Sequence, residues 1–331
     1  MDLQRRCLGI GSVMIVAAVI LRLLSAGAWQ TIAAALESPE TAAFMLYLET
    51  GRVVHPEPEP LSGETEPTTL PPPDPVPTET VAASVGVPCF APVDAALVDV
   101  RYYASYRPDL QQMVTSTLQW ELCADEPTVL ILSSHATESY DPKAEPYTAT
   151  TAYRTLDTRH NMISVGAYVA QELEKAGISV IHDTTLHDYP SYNDAYIDSR
   201  KAVQGYLKQH PSIRLVLDLH RDATDESAAQ LDTSALVNGV ESAQLMLVVG
   251  TRQEDWQSNM ALAVKLTALL EKRHPGITRP ISFRTQRFNQ DLSPGALLVE
   301  VGAAGNTRQE ALTAAKALAD AIIALSKGAN Y

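Results

Sequence analysis

The chain is poor in the residue types that several common functions need. Its 331 residues include three cysteines and no Cys-x-x-Cys pair, which argues against a metal site built from thiolates. Lys and Arg number 25 against 39 Asp and Glu, and the net charge of −14 argues against nucleic-acid binding, which selects basic surfaces. Ser133 and Ser134 lie beside His135, but the Gly-x-Ser-x-Gly elbow of many serine hydrolases is missing.

The N-terminus has the composition of an export signal. Two arginines precede an apolar stretch over residues 8–24 that contains one charged residue, Arg22. A small-residue site at residues 26–28 suits cleavage as a signal peptide, whereas snorkelling of Arg22 to the headgroups suits a retained span. We expect residues 1–29 to direct export. Of the two alternatives, a single-pass membrane anchor with the rest of the chain on the extracytoplasmic side is favoured over a cleaved signal.

Composition divides the remaining chain into three parts. Residues 30–54 have helical periodicity interrupted by a Ser-Pro pair. Residues 55–88 are rich in Pro, Glu and Thr and cannot bury a core, which predicts an extended acidic linker. Residues 89–331 alternate apolar strand segments with helical ones, which predicts one α/β domain with a single mixed or mostly parallel sheet flanked by helices. Cys89 and Cys123 of this domain either form a disulfide or remain two thiols.

Hydrophobic periodicity predicts the order of the elements within the α/β domain. The predicted strands are 96–100, 128–134, 179–183, 214–220, 245–250, 281–284 and 296–301. The predicted helices are 110–122, 161–175, 193–208, 256–273 and 307–326.

Residues that can carry chemistry follow or end several of these strands. His135 and Glu138 form a His-x-x-Glu pair after the second predicted strand, His220 ends the fourth, and Glu300 lies in the last. Because ligands bind beyond the carboxyl ends of the strands in open α/β sheets, we expect these side chains to converge. Two imidazoles and a carboxylate are a common ligand set for a catalytic zinc ion. We predict zinc bound by His135, Glu138 and His220, with Glu300 as the general base.

Neighbouring residues have alternative roles that the sequence leaves open. Asp218 and Asp222 are candidates to orient His220 or Arg221. Arg221 is either a catalytic residue that orients a substrate carboxylate or a cation that neutralises the local acidic cluster. The competing candidates for metal ligation are His160, His182 and His187.

Several blocks of the sequence resemble the stage II sporulation protein P family. They are residues 134–140 (SHATESY), 192–200 (YNDAYIDSR), 218–222 (DLHRD), 289–292 (NQDL) and 298–302 (LVEVG), all within residues 95–327. The resemblance implies a fold similar to that of zinc-dependent N-acetylmuramoyl-L-alanine amidases. It also implies a peptidoglycan amidase and crosslink endopeptidase that is anchored in the mother-cell membrane and acts on the septal wall during engulfment.

The resemblance also bears on individual residues and on partners. It implies that His135, His220 and Glu300 belong to the active site, and Glu138 matches the family motif. That motif commonly reads His-Thr-His-x-Thr-Glu, and Ser133 stands where its first His would be, which puts activity more in question than fold. The implied partners are peptidoglycan, the membrane and the sporulation lytic transglycosylase stage II sporulation protein D.

Two other functions remain open at this point. A zinc carboxypeptidase that trims stem peptides would need Arg221 or another cation to hold a terminal carboxylate. A catalytically inactive wall-binding scaffold is motivated by Ser133. Fragments released from purified sacculi separate these readings, because intact stem peptides, single amino acids and no product are distinguishable by mass.

We predict that the linker sets reach and nothing else. An extended chain advances about 3.1 Å per residue, so the segment 55–88 can reach roughly 100 Å from an anchor. Scrambling residues 55–88 at constant composition should therefore leave wall cleavage in cells unchanged. Loss of cleavage by the scrambled protein, at equal expression, would show that the linker carries a recognition sequence.

Overall fold

The computed structural model describes most of the C-terminal part of the chain: residues 90–118, 122, 125–143, 145–151, 153–223 and 231–328. The predicted export segment, the helical stretch at 30–54, the linker and the cysteine pair lie outside the described residues. No helix within the described ranges is long and apolar enough to cross a membrane.

Helices and strands alternate along the described residues. The strands are β1 (Val100–Tyr102), β2 (Val129–Leu132), β3 (Val180–His182), β4 (Leu215–Asp222), β5 (Ala235–Val237), β6 (Val240–Ser242), β7 (Leu245–Gly250), β8 (Ile281–Arg284) and β9 (Ala296–Ala303). The α-helices are α1 (Leu110–Thr115), α2 (Met162–Lys175), α3 (Ala195–Gln209), α4 (Trp256–Arg273) and α5 (Arg308–Gly328). Short 3₁₀ helices occupy Pro92–Leu97, Tyr192–Asp194 and Gln290–Leu292.

Seven of the described strands form one sheet in the order β1-β8-β7-β9-β4-β2-β3. Strands β9, β4, β2 and β3 run parallel to one another, and β1, β8 and β7 form a second parallel group. The two groups meet where β7 pairs antiparallel with β9. The carboxyl ends of β9, β4 and β2 therefore lie at the same edge. The predicted α/β fold, with a single mixed sheet flanked by helices, is confirmed.

The central strands are apolar because helices cover both faces of the sheet. Strand β2 is buried along its whole length, as is typical of parallel strands between two helical layers. On one face, Ile131, Leu217 and Val299 belong to the main hydrophobic core, together with residues of α2, α4 and α5. On the other face, Val203 of α3 packs with Leu132 in a smaller cluster.

Helix α2 illustrates how local sequence sets an element. It begins after Asn161, whose side-chain oxygen accepts a hydrogen bond from the Ile163 N–H at 3.0 Å, so the first turn is capped. The residues Val165, Val169 and Leu173 are buried on one face, as predicted. The chain leaves the helix through Gly177, whose φ of +82° lies in the left-handed region that glycine adopts most easily.

The sequence prediction was wrong at the start of the domain and missed a hairpin. Of the segment predicted as a strand at 96–100, the first two residues belong to the 3₁₀ helix Pro92–Leu97, and strand β1 begins only at Val100. Asp94 stabilises the 3₁₀ turn by accepting a hydrogen bond from the Ala91 N–H at 2.9 Å. The helix predicted at 110–122 ends at Thr115. Strands β5 and β6 form a separate hairpin around Asn238-Gly239, a turn pair that favours such hairpins.

We predict that Gly302→Ala destabilises the fold more than Gly177→Ala. Both glycines have positive φ, +74° and +82°, so an alanine at either position pays the left-handed penalty of about 1 kcal/mol. A Cβ on Gly302 would also lie 2.7 Å from the Ala243 Cβ, whereas nothing lies within 4 Å of one on Gly177. The overlap should lower the free energy of unfolding by roughly a further 1–2 kcal/mol.

Urea unfolding of the two variants measures the difference. Because Gly177→Ala shares the strained φ but not the overlap, it isolates the steric contribution. Equal losses of stability in the two variants would contradict the prediction.

Candidate active site

The pairing of β4 with β9 places His220 beside Glu300. The two residues are register partners across parallel strands, so their side chains stand on the same face of the sheet. Strand β2 pairs with the other side of β4, with Leu132 opposite Asp218. The chain that leaves β2 therefore passes directly beside His220 at the carboxyl edge.

A tight turn after β2 brings in the other two predicted ligands. The Glu138 N–H donates to the His135 carbonyl at 3.1 Å, which folds the His-x-x-Glu segment back on itself. The ring centroids of His135 and His220 are 5.4 Å apart, and His220 Nδ1 lies 3.5 Å from Glu138 Oε2. All three side chains are buried, with His135 the most exposed at 8%. The predicted convergence of His135, Glu138, His220 and Glu300 is therefore present in the structure.

Asp218 orients the His220 imidazole. Its Oδ1 lies 2.9 Å from His220 Nε2, and because a carboxylate only accepts, Nε2 carries the proton and Nδ1 faces Glu138. Ser134 fixes Asp218 in turn, through its N–H at 2.7 Å and its hydroxyl at 2.8 Å. Burial disfavours the imidazolium, but the charge and hydrogen bond of Asp218, together with the Glu138 carboxylate, outweigh that effect and raise the pKa of His220 well above its ordinary value.

Two arginines hold the Glu138 carboxylate. Arg154 Nη2 lies 3.2 Å from Oε1, and the Arg221 backbone N–H donates to Oε2 at 3.2 Å. Burial alone would raise the pKa of Glu138, but Arg221 and then His220 hold it well below its ordinary value. Arg154 was not predicted from the sequence, because it lies in a long loop without any recognisable motif.

The Arg221 guanidinium contacts other groups of the protein. Its Nε and Nη2 donate to the backbone carbonyls of Ser139 and Tyr153, both at 2.9 Å, and Nη1 lies 3.7 Å from Glu138 Oε1. Of its two predicted roles, these contacts match neutralisation of the acidic cluster and none of them is directed at a substrate.

Asp222 does not take the role that the sequence suggested. It pairs with Arg279 at 2.8 Å rather than with His220 or Arg221. The register between β4 and β9 shifts after His220, so that Asp222 lies opposite Ala303 and out of step with the His220–Glu300 pair.

Glu300 is a carboxyl group without a fixed partner. Its Oε2 atom is buried and accepts no hydrogen bond from the described residues. Burial raises the pKa of Glu300 to about 8, the positive charge of His220 opposes that shift, and the nearby Glu138 and Asp222 add to it. A carboxyl group in this state can exchange a proton near neutral pH, which is the property of a general acid–base residue.

The environment of His135 contains residues that sequence reasoning missed. Asp188 Oδ2 is 4.0 Å from His135 Nδ1, and the rings of Tyr192 and Tyr196 contact the imidazole with centroid distances of 4.4 and 5.4 Å. Both tyrosines belong to the block at residues 192–200 that resembles the family. That block was the available signal, but its spacing indicated no chemical role.

The remaining candidates make other contacts. His160 pairs with Asp157 at 3.2 Å and His187 with Asp183 at 3.0 Å. His182 lies on β3, and its ring packs against α2. Ser134 is fully buried and donates to Asp218, an arrangement unlike that of an accessible nucleophile.

The donor atoms gathered at this edge are of the kinds that bind metal ions. His220 has, on the nitrogen that would not ligate, the carboxylate partner that metal-binding histidines usually have, whereas Nδ1 of His135 is buried without a hydrogen-bond partner. Two imidazoles and the Glu138 carboxylate fit zinc in chemical type. Across the described residues, no group of three His, Cys, Asp or Glu side chains is already drawn together as ligands of one ion. Glu138 is instead drawn to the two arginines.

Comparison with solved structures finds partial similarity to N-acetylmuramoyl-L-alanine amidases. The chain is similar to N-acetylmuramoyl-L-alanine amidase AmiC2 of Nostoc punctiforme, with 16% identity, a TM-score of 0.37, and coverage of 59% of this chain and 94% of that one. It is also similar to an N-acetylmuramoyl-L-alanine amidase from Clostridium difficile 630, with 16% identity, a TM-score of 0.35, and coverage of 60% and 94%.

Sequence comparison finds a more direct relationship. The stage II sporulation protein P of Bacillus subtilis (strain 168) is 30% identical over 207 residues, which are 59% of this chain and 50% of that protein. The chain thus spans about half the length of this curated relative. The family model for stage II sporulation protein P matches residues 95–323, which include the whole site. Because that match covers most of the sequence, the chain belongs to the stage II sporulation protein P family.

Proposed function

We propose that this protein is a zinc-dependent N-acetylmuramoyl-L-alanine amidase that acts on peptidoglycan of the septal wall in sporulation. Membership in the family supports peptidoglycan as the substrate and sporulation as the process. The convergence of two histidines and two glutamates at the carboxyl edge of the sheet supports the chemistry. Residues 1–29 would anchor the domain on the extracytoplasmic side, and crosslink endopeptidase activity in the same site is part of the proposal.

The observation that carries the proposal is the position of Glu300. A carboxyl group whose Oε2 is buried without a partner is costly to the fold and is typical of a functional site. It stands in register with His220, at the edge where Glu138 and His135 also lie.

Each residue of the site has a separate role in the proposed reaction. His135, Glu138 and His220 would hold the zinc ion, which when bound supplies Lewis acidity toward the scissile carbonyl. Asp218 accepts a hydrogen bond from Nε2 of His220, so Nδ1 is the nitrogen that would ligate, after losing its own proton. Glu300, in its ionised form, would take the proton of the attacking water and return it to the leaving amine nitrogen.

The contacts favour an amidase over a carboxypeptidase. A carboxypeptidase needs a cation that is free to bind the terminal carboxylate of its substrate. In the described part of the site, Arg221 is occupied by backbone carbonyls, and Arg154 donates to Glu138 and Asp188 at 3.2 and 3.0 Å. An internal amide, such as that between muramic acid and the first L-alanine of the stem, needs no such cation.

We predict that Glu300→Gln abolishes cleavage but keeps zinc. The amide side chain preserves shape and cannot accept the proton of water, and loss of a general base costs about 10²- to 10⁴-fold in rate. Mass analysis of fragments released from purified sacculi measures the loss, and elemental analysis measures zinc. Glu241→Gln, an exposed glutamate on β6, is the matched control and should cleave normally. Near-normal turnover by Glu300→Gln with zinc bound would exclude this role for Glu300.

We predict one zinc ion per chain, lost when both histidines are removed. The double variant His135→Ala, His220→Ala leaves Glu138 alone, and one carboxylate does not hold a catalytic zinc ion. Elemental analysis after dialysis should find about one zinc per chain in the wild-type protein, as a three-ligand site requires, and none in the double variant. His274→Ala, at the end of α4, is the control. Stoichiometric zinc in a folded double variant would refute the ligand assignment.

A further inference from the structure

His135 lacks the hydrogen bond that usually orients a metal-binding histidine. Such residues almost always bond a carboxylate, carbonyl or water through the ring nitrogen that does not ligate. The carboxylate nearest to His135 Nδ1 belongs to Asp188 and is 4.0 Å away, which is beyond hydrogen-bond distance. Asp188 Oδ2 is instead bonded by the Thr137 hydroxyl at 2.6 Å and by Arg154 at 3.0 Å.

Aromatic rings take the place of that hydrogen bond. The Tyr192 ring stacks on the His135 imidazole with a centroid distance of 4.4 Å and an interplanar angle of 23°. Tyr196 and His220 meet the same imidazole edge-on, each with a centroid distance of 5.4 Å. The ring of His135 is thus bounded by one stacking partner and two perpendicular ones, which leaves it little freedom to rotate.

The exposure of Tyr192 indicates that its own burial is not the reason for its position. The residue is 52% exposed, while the His135 beneath it is 8% exposed. The Arg154 guanidinium lies 4.5 Å from the centroid of the Tyr192 ring. Because Arg154 also bonds Glu138 and Asp188, one network fixes the stacking tyrosine and the neighbouring candidate ligand.

We propose that Tyr192 is a positioning residue that holds the His135 imidazole in its ligating orientation by ring stacking instead of by a hydrogen bond. The orientation is a property of the metal-free protein, whereas its consequence, tighter zinc binding, rests on the proposed function. The ring and not the phenol hydroxyl makes the contact. Phenylalanine should therefore replace Tyr192, and alanine should not.

Three variants test this role. Tyr192→Phe keeps the stacking ring and Tyr192→Ala removes it. Tyr103→Ala is the matched control, since Tyr103 is 50% exposed, has the Arg284 guanidinium 4.3 Å from its ring centroid, and follows the edge strand β1. Urea midpoints and circular dichroism verify that each variant folds.

Two measurements are made on each protein. In the zinc-free protein, the chemical shifts of the His135 ring protons should include a ring-current contribution from Tyr192. This contribution should be unchanged in Tyr192→Phe and Tyr103→Ala and lost in Tyr192→Ala. In a chelator competition, the zinc dissociation constant should rise about 10- to 100-fold in Tyr192→Ala and stay within about twofold in the other two.

The outcomes separate this inference from the function on which it depends. Wild-type zinc affinity and unchanged His135 ring shifts in Tyr192→Ala would overturn the proposed role of Tyr192. So would a loss of zinc affinity in Tyr192→Phe equal to that in Tyr192→Ala. Weakening by Asp188→Asn but not by Tyr192→Ala would assign the role to Asp188 and overturn it as well. A wild-type protein that binds no zinc would overturn the proposed function, and the ring shifts alone would then decide whether Tyr192 orients His135.

Discussion

The parallel pairing of β4 with β9 is the constraint on which the site depends. It sets His220 beside Glu300 on the face opposite the main core. Side chains alternate along a strand, so a slip of one residue would turn His220 or Glu300 into the apolar layer that holds Leu219 and Val299. The burial of that layer therefore fixes the register, and the register fixes the chemistry.

Burial of so many ionisable groups is tolerated because nearly all of them are paired. His220 lies between Asp218 and Glu138, and Glu138 is held by Arg221 and Arg154. Each pairing offsets part of the desolvation that a lone buried charge would suffer. Glu300 is left out of this arrangement, since its buried Oε2 accepts no hydrogen bond from the described residues. Local conflict of this kind is expected at functional sites.

The histidines of the site are positioned by different means. His220 is oriented through a carboxylate that the backbone and hydroxyl of Ser134 fix in turn. His135 is packed between rings and has no hydrogen bond at Nδ1. A hydrogen bond fixes direction and tautomer, whereas stacking fixes only the plane of the ring. A change in Tyr192 or Tyr196 can therefore alter the orientation of His135, whereas the orientation of His220 is set by its hydrogen bond to Asp218.

The sequence by itself determined the apolar strands, the amphipathic helices, and the residues at the strand ends, because strand runs and helical periodicity are local properties. It therefore predicted the α/β fold and the convergence of His135, Glu138, His220 and Glu300. Only the tertiary structure decided the reversal of direction at β7, because strand pairing is not encoded in any one segment. It also decided that Asp222 pairs with Arg279, and that Arg154, Asp188 and Tyr192 join the site. These residues come from loops and a short turn, where position depends on contacts between segments distant in sequence and periodicity carries no information.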